Sequence, residues 1–215
     1  MERMSESQLK SGLSTTLGER FQSVSRTETK RRGEAIYKVG DTPSGVYIVK
    51  QGLVGLTLLG ISGREHLMRL FGPGRFFGHR SLFANEPYHA SAVALEPTTL
   101  QVIPKDEITK ALANDLELYQ ELLYVLSREL RRCEVQHVHI LENQVLSRVA
   151  QAVVYLKDLH ADHNWTRQEI ANFCASTTST VIKTLAELEE RALIRQSGRT
   201  IEILDRDGLI ALQDE

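Results

Sequence analysis

The stretch YQELLYVLSRELRRCEVQHVHI, residues 119–140, places Tyr119, Leu123, Leu126, Leu130, Cys133, His137 and Ile140 at alternating steps of four and three. That is the a/d seam of a heptad repeat, in which about 3.5 residues per turn keep one stripe aimed at a partner helix. Neither glycine nor proline interrupts Asn114 to Arg148, so the reading is one long helix of roughly 50 Å. The positions between, among them Glu121, Arg128, Glu129, Arg131, Arg132, Glu134 and Gln136, are solvent types. The expectation is a helix that pairs with its copy in a second chain. A core helix of one large domain is the competing reading.

The chain has a different texture on each side of this helix. From about Thr29 to Ile108, short β-rich runs alternate with glycine: Ala35 to Val39, Gly45 to Val49, Leu53 to Leu59, His66 to Phe71, Ala90 to Leu95 and Leu100 to Ile103. Turn residues separate them, including Gly40-Asp41, Pro43-Ser44-Gly45, Ser62-Gly63 and Gly72-Pro73-Gly74. Runs this short leave no room for crossover helices, so they predict an antiparallel barrel or sandwich. Ahead of them, Leu9, Leu13, Leu17 and Phe21 recur every four residues and predict a short amphipathic helix.

After the long helix, Val145 to Leu159 continues in helical pattern, and Ala161-Asp162-His163-Asn164 breaks it. Thr166-Arg167-Gln168-Glu169 has the S/T-x-x-E form of a capping box, whose hydroxyl and carboxylate satisfy the first free amides of a helix. It opens a short helix, Arg167 to Phe173, with Ile170 and Phe173 inward. Cys174-Ala175-Ser176 is a break, and a second helix runs from about Thr177 to Arg191, with Val181, Leu185 and Leu188 spaced to pack on the first. This is a helix-turn-helix pattern. Leu193-Ile194-Arg195 and Thr200-Ile201-Glu202-Ile203 flank Gln196-Ser197-Gly198-Arg199, a hairpin signal placed where a winged helix carries its wing.

The 215 residues suffice for one large or two small domains. A net charge of −2 excludes a globally basic nucleic-acid binder, so any DNA contact must come from a local patch. With two cysteines and no CxxC pair, a disulfide framework, a zinc finger and a four-cysteine cluster are unsupported. Met1 to Lys10 has no signal-peptide core and there is no apolar run of about 18 residues, so a soluble cytoplasmic protein without membrane contact is expected. No nucleophile elbow, phosphate loop or metal pair is present, and no enzyme activity is expected.

In this order and spacing, several stretches act together. They are Gly33 with Gly40-Asp41, Tyr47-Ile48-Val49-Lys50-Gln51-Gly52, Gly72-Pro73-Gly74-Arg75-Phe76-Phe77-Gly78, Ser81-Leu82-Phe83 and Thr166-Arg167-Gln168-Glu169-Ile170-Ala171. On these the chain resembles the Crp/Fnr superfamily of bacterial transcription regulators over nearly its whole length. The resemblance implies an α+β fold: an antiparallel β-roll (a cyclic-nucleotide-binding-like jelly roll), a long dimerisation helix and a C-terminal winged helix-turn-helix. It divides the chain into an N-terminal helical segment (1–28), a β-roll sensor domain (29–113), a dimerisation helix (114–143) and a DNA-binding domain (144–215). It implies a homodimer on pseudo-palindromic promoter DNA that contacts RNA polymerase, with an unknown small molecule as a conceivable effector.

A recognition helix presents its first turns to the major groove. Here those turns carry Thr177, Thr178, Ser179, Thr180 and Lys183, with Arg167, Arg195 and Arg199 where phosphate contacts are expected. The positions of Thr178, Ser179 and Lys183 resemble those of the family's base readers, often Arg, Glu and Arg. The departure means that the family's usual half-site cannot be transferred.

Cyclic-nucleotide binders of the superfamily hold phosphate with a Gly-Glu helix start and an arginine about ten residues on, followed by Ser or Thr, because an anion needs an arginine fork and free amides. Here Gly78 is followed by His79, and His89 or Ala90 stands in the arginine's place before Ser91. Cyclic AMP is therefore not the expected effector. Arg75, Gly78, His79, Arg80, Ser81, His89, Ala90 and Ser91 are the candidate pocket. No cofactor and no metal site are expected, with haem ligation by His79 or His89 and redox chemistry at Cys133 as the lesser options. The expected function is transcription regulation by sequence-specific DNA binding, with the β-roll controlling the geometry of the reading heads. The alternative is a ligand-binding module that acts on a protein partner without reading DNA.

Overall fold

A computed structural model of the chain describes residues 16–212. Leu9 and Leu13 lie outside the described residues. Packing divides the chain into two units, one of residues up to 59 with 68–131, the other of 60–67 with those from 132 onward.

Eight strands build the roll, all within the first unit except the start of β5: β1 (Arg26–Lys30), β2 (Ala35–Tyr37), β3 (Gly45–Gln51), β4 (Val54–Leu59), β5 (Glu65–Phe71), β6 (Phe76–Phe77), β7 (Ser91–Ala94) and β8 (Thr98–Pro104). They form two four-stranded sheets, ordered β1-β8-β3-β6 and β2-β7-β4-β5. The expected antiparallel roll is present, and its alternation of strand and turn is what the glycine punctuation predicted. Two strands escaped the sequence reading. β1 is the polar run RTETK with no apolar face, and β6 is only two residues long. Each instead gains its place by pairing, β1 with β8 and β6 with β3.

A short helix, α1 (His79–Ala84), follows β6, and α2 (Lys105–Asn114) follows β8. The helix α3 (Leu116–Glu142) crosses the division after residue 131, and α4 (Val145–Leu159) succeeds it. A single helix from Asn114 to Arg148 is thus corrected to three pieces. Asp115 is extended (φ −133°, ψ 98°), and its Oδ1 accepts from the Leu118 N–H at 2.9 Å, so it caps a new helix instead of continuing the old one. Its carboxylate is also paired with Arg20. At the far end Gln144 is extended (φ −64°, ψ 162°). Neither break needs glycine or proline.

α3 carries two stripes, not one. Leu118, Leu122 and Val125 are buried in a cluster with Leu17, Phe21, Val46, Ile48, Phe76, Leu82, Ile103 and Ile108. The heptad seam lies beside that stripe and is open: Tyr119, Leu123 and Leu130 are 52%, 53% and 59% exposed, and Cys133, His137 and Ile140 are exposed as well, with Leu126 half-buried. Glu129, assigned to solvent from the sequence, is buried at 4% exposure and continues the inward stripe.

The second unit contains α4, α5 (Arg167–Phe173), α6 (Thr178–Glu190), the hairpin β9 (Ile194–Ser197) with β10 (Thr200–Ile203), and α7 (Arg206–Ala211). Val149, Leu156, Ile170, Val181, Leu185, Leu188, Ile194 and Leu209 form its interior. Each such side chain contributes roughly 1.5–3 kcal/mol by leaving water. The inward periodicity of Val181, Leu185 and Leu188 is as the sequence predicts. Among the described residues, no helix is long and apolar enough to cross a membrane.

Candidate functional site

The capping box that opens α5 is complete. The Thr166 hydroxyl accepts from the Glu169 N–H at 3.1 Å, and Glu169 Oε2 accepts from the Thr166 N–H at 2.8 Å. Burial opposes ionisation of Glu169, but contacts with the His163 ring and Thr166 outweigh it and lower the pKa. His163 is buried, 3.6 Å from Glu169 through Nε2 and edge-on to Trp165. The turn between the helices is made by Ala175 at φ 54°, a left-handed conformation that costs a β-carbon residue about 1–2 kcal/mol. Arg148 steadies this turn, donating from Nε to the Cys174 carbonyl at 3.2 Å. Sequence reading missed that role. Burial pushes the Cys174 thiol up to about 11, which suits a structural cysteine.

Several of the residues expected at DNA also make contacts within the domain. Thr177 is the N-cap of α6: its hydroxyl accepts from the Thr180 N–H at 3.1 Å and lies 2.7 Å from the Thr180 hydroxyl. Thr178 donates to Gln168 Oε1 at 2.6 Å. Arg167 donates to the Arg199 carbonyl at 2.8 Å and to Gln196 Oε1 at 2.7 Å, which ties the start of α5 to the wing. Arg195 pairs with Glu202 across the wing at 3.3 Å. Ser179 and Lys183 are exposed on the outer face of α6, and Arg199 is exposed in the wing turn. Between Ser179 and Lys183 sits Ile182, 54% exposed, which the sequence reading did not single out. An apolar residue one position off the buried stripe was the available signal.

In the roll, the structure brings most of the candidate effector residues together. Gly78 (φ +85°) caps α1; a β-carbon there would lie 2.9 Å from the Tyr47 ring, so only glycine lets the chain turn this close. The turn aims His79, Arg80 and Ser81 at a cavity shared with His89, Ala90, Arg69, Tyr37 and Tyr88. Arg75 and Ser91 do not line it. The Arg75 carbonyl accepts from the Val49 N–H, and the Ser91 hydroxyl accepts from the Val39 N–H.

The cavity is small, about 20 Å³, enough for a water molecule. Its wall includes Tyr37 stacked on Tyr88 at 3.5 Å between centroids, and Phe77, which also lines it, stacks on Tyr47 at 5.2 Å. Ligand pockets run to roughly 300–1,000 Å³. The cavity is far smaller than that. Among the described residues, no group of three or more His, Cys, Asp or Glu side chains can hold a metal ion.

Glu129 of α3 reaches into this site. Its Oε1 accepts from Arg69 at 2.5 Å, and its Oε2 lies 3.3 Å from His79 Nε2. Burial works against the Glu129 charge, yet hydrogen bonds from His79 and Arg69 prevail and hold the carboxyl far below the usual carboxylate range. Burial likewise lowers the His79 pKa, only partly offset by Glu129. Because an ionised carboxylate can only accept, the Nε2–H of His79 is the donor in this contact. His79 is 1% exposed. His89 stays exposed, its pKa lowered by partial burial and by Arg80 and Arg69.

A β-roll followed by a long helix and a winged helix-turn-helix with an exposed outer face defines a DNA-binding transcription regulator. Comparison with known proteins sharpens this. Residues 27–115 match the cyclic nucleotide-binding domain, and residues 147–212 match the Crp-like helix-turn-helix domain. The chain is 29% identical over 187 residues to the CRP-like cAMP-activated global transcriptional regulator of Mycobacterium tuberculosis, covering 83% of this chain and 84% of that one. A Crp-family transcriptional regulator from Thermus thermophilus superposes with a TM-score of 0.74 at 26% identity, covering 87% and 97% of the two chains. FixK2 from Bradyrhizobium japonicum shares the fold with a TM-score of 0.79 at 24% identity, covering 87% and 96%. The chain belongs to the Crp/Fnr superfamily of transcription regulators.

Proposed function

We propose that this regulator acts as a homodimer on pseudo-palindromic promoter DNA, and that its roll domain sets the geometry of the reading heads without a small-molecule effector. The observation that carries this is the double striping of α3. One stripe is spent on the roll, and a second, Tyr119, Leu123 and Leu130, is left exposed with heptad spacing. Such a stripe suits a second copy of the same helix. Two heads on one axis match half-sites about one helical turn apart. In this reading residues 26–104 are the roll, 116–142 pair, and the part from 145 onward reads DNA in the cytoplasm, where it meets RNA polymerase. The protein works by binding, not catalysis.

The pocket supports independence from an effector. An anionic effector would need the Arg69 guanidinium, and Glu129 of α3 already occupies it at 2.5 Å. The test is a gel shift with purified, ligand-free protein on promoter fragments in excess competitor DNA. Specific, salt-sensitive binding is the expected result. Binding that appears only after a small molecule is added overturns the effector-free part. Absence of specific binding under every condition favours a module that acts on a protein partner.

A further inference from the structure

Resting on the DNA-binding reading above, we infer that Ile182 reads the 5-methyl group of a thymine in each half-site. The outward face of α6 carries Ser179, Ile182, Lys183, Ala186 and Glu187 at helical spacing, all exposed, while Val181, Thr184, Leu185 and Leu188 are buried. The hydroxyls that would compete for base edges are already occupied. Thr177 and Thr180 serve the cap, Thr178 is held by Gln168, and the Ser179 hydroxyl lies 3.0 Å from that of Thr177. What remains free to meet a groove near the start of the helix is therefore an apolar branched side chain next to one lysine.

Ile182 is 54% exposed, and a β-branched residue loses rotamer freedom in a helix, so helix propensity does not favour it there. In the major groove the thymine methyl is the apolar feature that distinguishes a base pair, and an aliphatic side chain complements it. The acids of α6, Glu187, Glu189 and Glu190, come after this turn. Ile182 and Lys183 thus form the forward part of the face.

The test begins by selecting preferred duplexes from a randomised library with the full-length chain. Each thymine of the selected site is then replaced by 2′-deoxyuridine, which removes only the methyl group. One thymine per half-site should show a loss of about fourfold in affinity, the value of one buried methyl, compounding over two half-sites. The Ile182→Ala variant, altered on an exposed position, should keep its thermal midpoint and lose the sensitivity at that thymine alone. Deoxyuridine without effect at any position overturns the inference, as does an effect of equal size in Ile182→Ala. A chain that selects no sequence overturns the DNA-binding reading and this inference together, whereas a selected site indifferent to its methyls overturns the inference alone.

Discussion

Two buried histidines sit beside glutamates in this molecule, and the two pairs do different work. His163 and Glu169 are near neighbours in the chain, and Glu169 is mainly a helix cap. His79 and Arg69 hold Glu129 across sequence separations of 50 and 60 residues, which fastens α3 to the roll. The local pair stabilises one helix start. The distant one joins the element expected to pair with a second chain to the pocket expected to govern it. Breaking a local cap costs a hydrogen bond or two, whereas breaking a buried charge network strands a charge in an interior that cannot solvate it.

The largest effect should therefore come from Glu129→Ala. It removes the carboxylate that Arg69 and His79 share in the interior, and urea unfolding should show a loss of about 3–5 kcal/mol in the transition of the roll. A loss below about 1 kcal/mol would mean that the network is solvated and that the contrast between the two pairs does not exist. Glu169→Ala should cost about 1–2 kcal/mol through the capping box. The loss should be confined to the transition of the reader domain, with that of the roll unchanged. An equal loss in both transitions would contradict the local character of this pair.

A smaller, graded effect is set by pH. Because the folded-state pKa of His79 lies below the ordinary value, the unfolded chain takes up that proton first. Stability is then full above about pH 6.5 and falls as pH drops below it. Glu129, held low in the fold, adds a further loss as pH falls below about 4.3. His89 contributes in the same direction as His79. His79→Asn should flatten part of the slope between about pH 5 and about pH 7 in denaturant titrations, and an unaltered slope would show that His79 is not the group responsible. The smallest effect is Ala175→Gly. It relieves a left-handed alanine and should raise stability by about 0.5 kcal/mol, visible as a higher melting temperature. A lower one would show that the turn is unstrained.

The same contrast separates what the sequence revealed from what it concealed. Local grammar was legible: the capping box Thr166 to Glu169, the inward triplet Val181, Leu185 and Leu188, the wing around Gly198, and most strands of the roll. These depend on neighbours a few positions apart. Glu129 was hidden because its partners lie on β5 and α1, and along the helix it reads as one more charge among Arg128, Arg131 and Glu134. The break at Asp115 was legible in principle, since Asn and Asp favour caps, yet the absence of glycine and proline outweighed that signal. The hydroxyls of Thr177, Thr178 and Thr180 looked like groove contacts by position, and only their geometry shows them engaged within the domain. Ile182 was passed over for the opposite reason, because an apolar side chain on a helix is ordinarily taken for core.

Pairing through the exposed stripe of α3 underlies everything proposed for DNA, and the stoichiometry of the bound complex tests it most directly. Sedimentation equilibrium of the purified chain on a selected duplex should give two chains per duplex, with Leu130→Glu abolishing that species. One chain per duplex, bound at full affinity and indifferent to Leu130→Glu, would contradict the account.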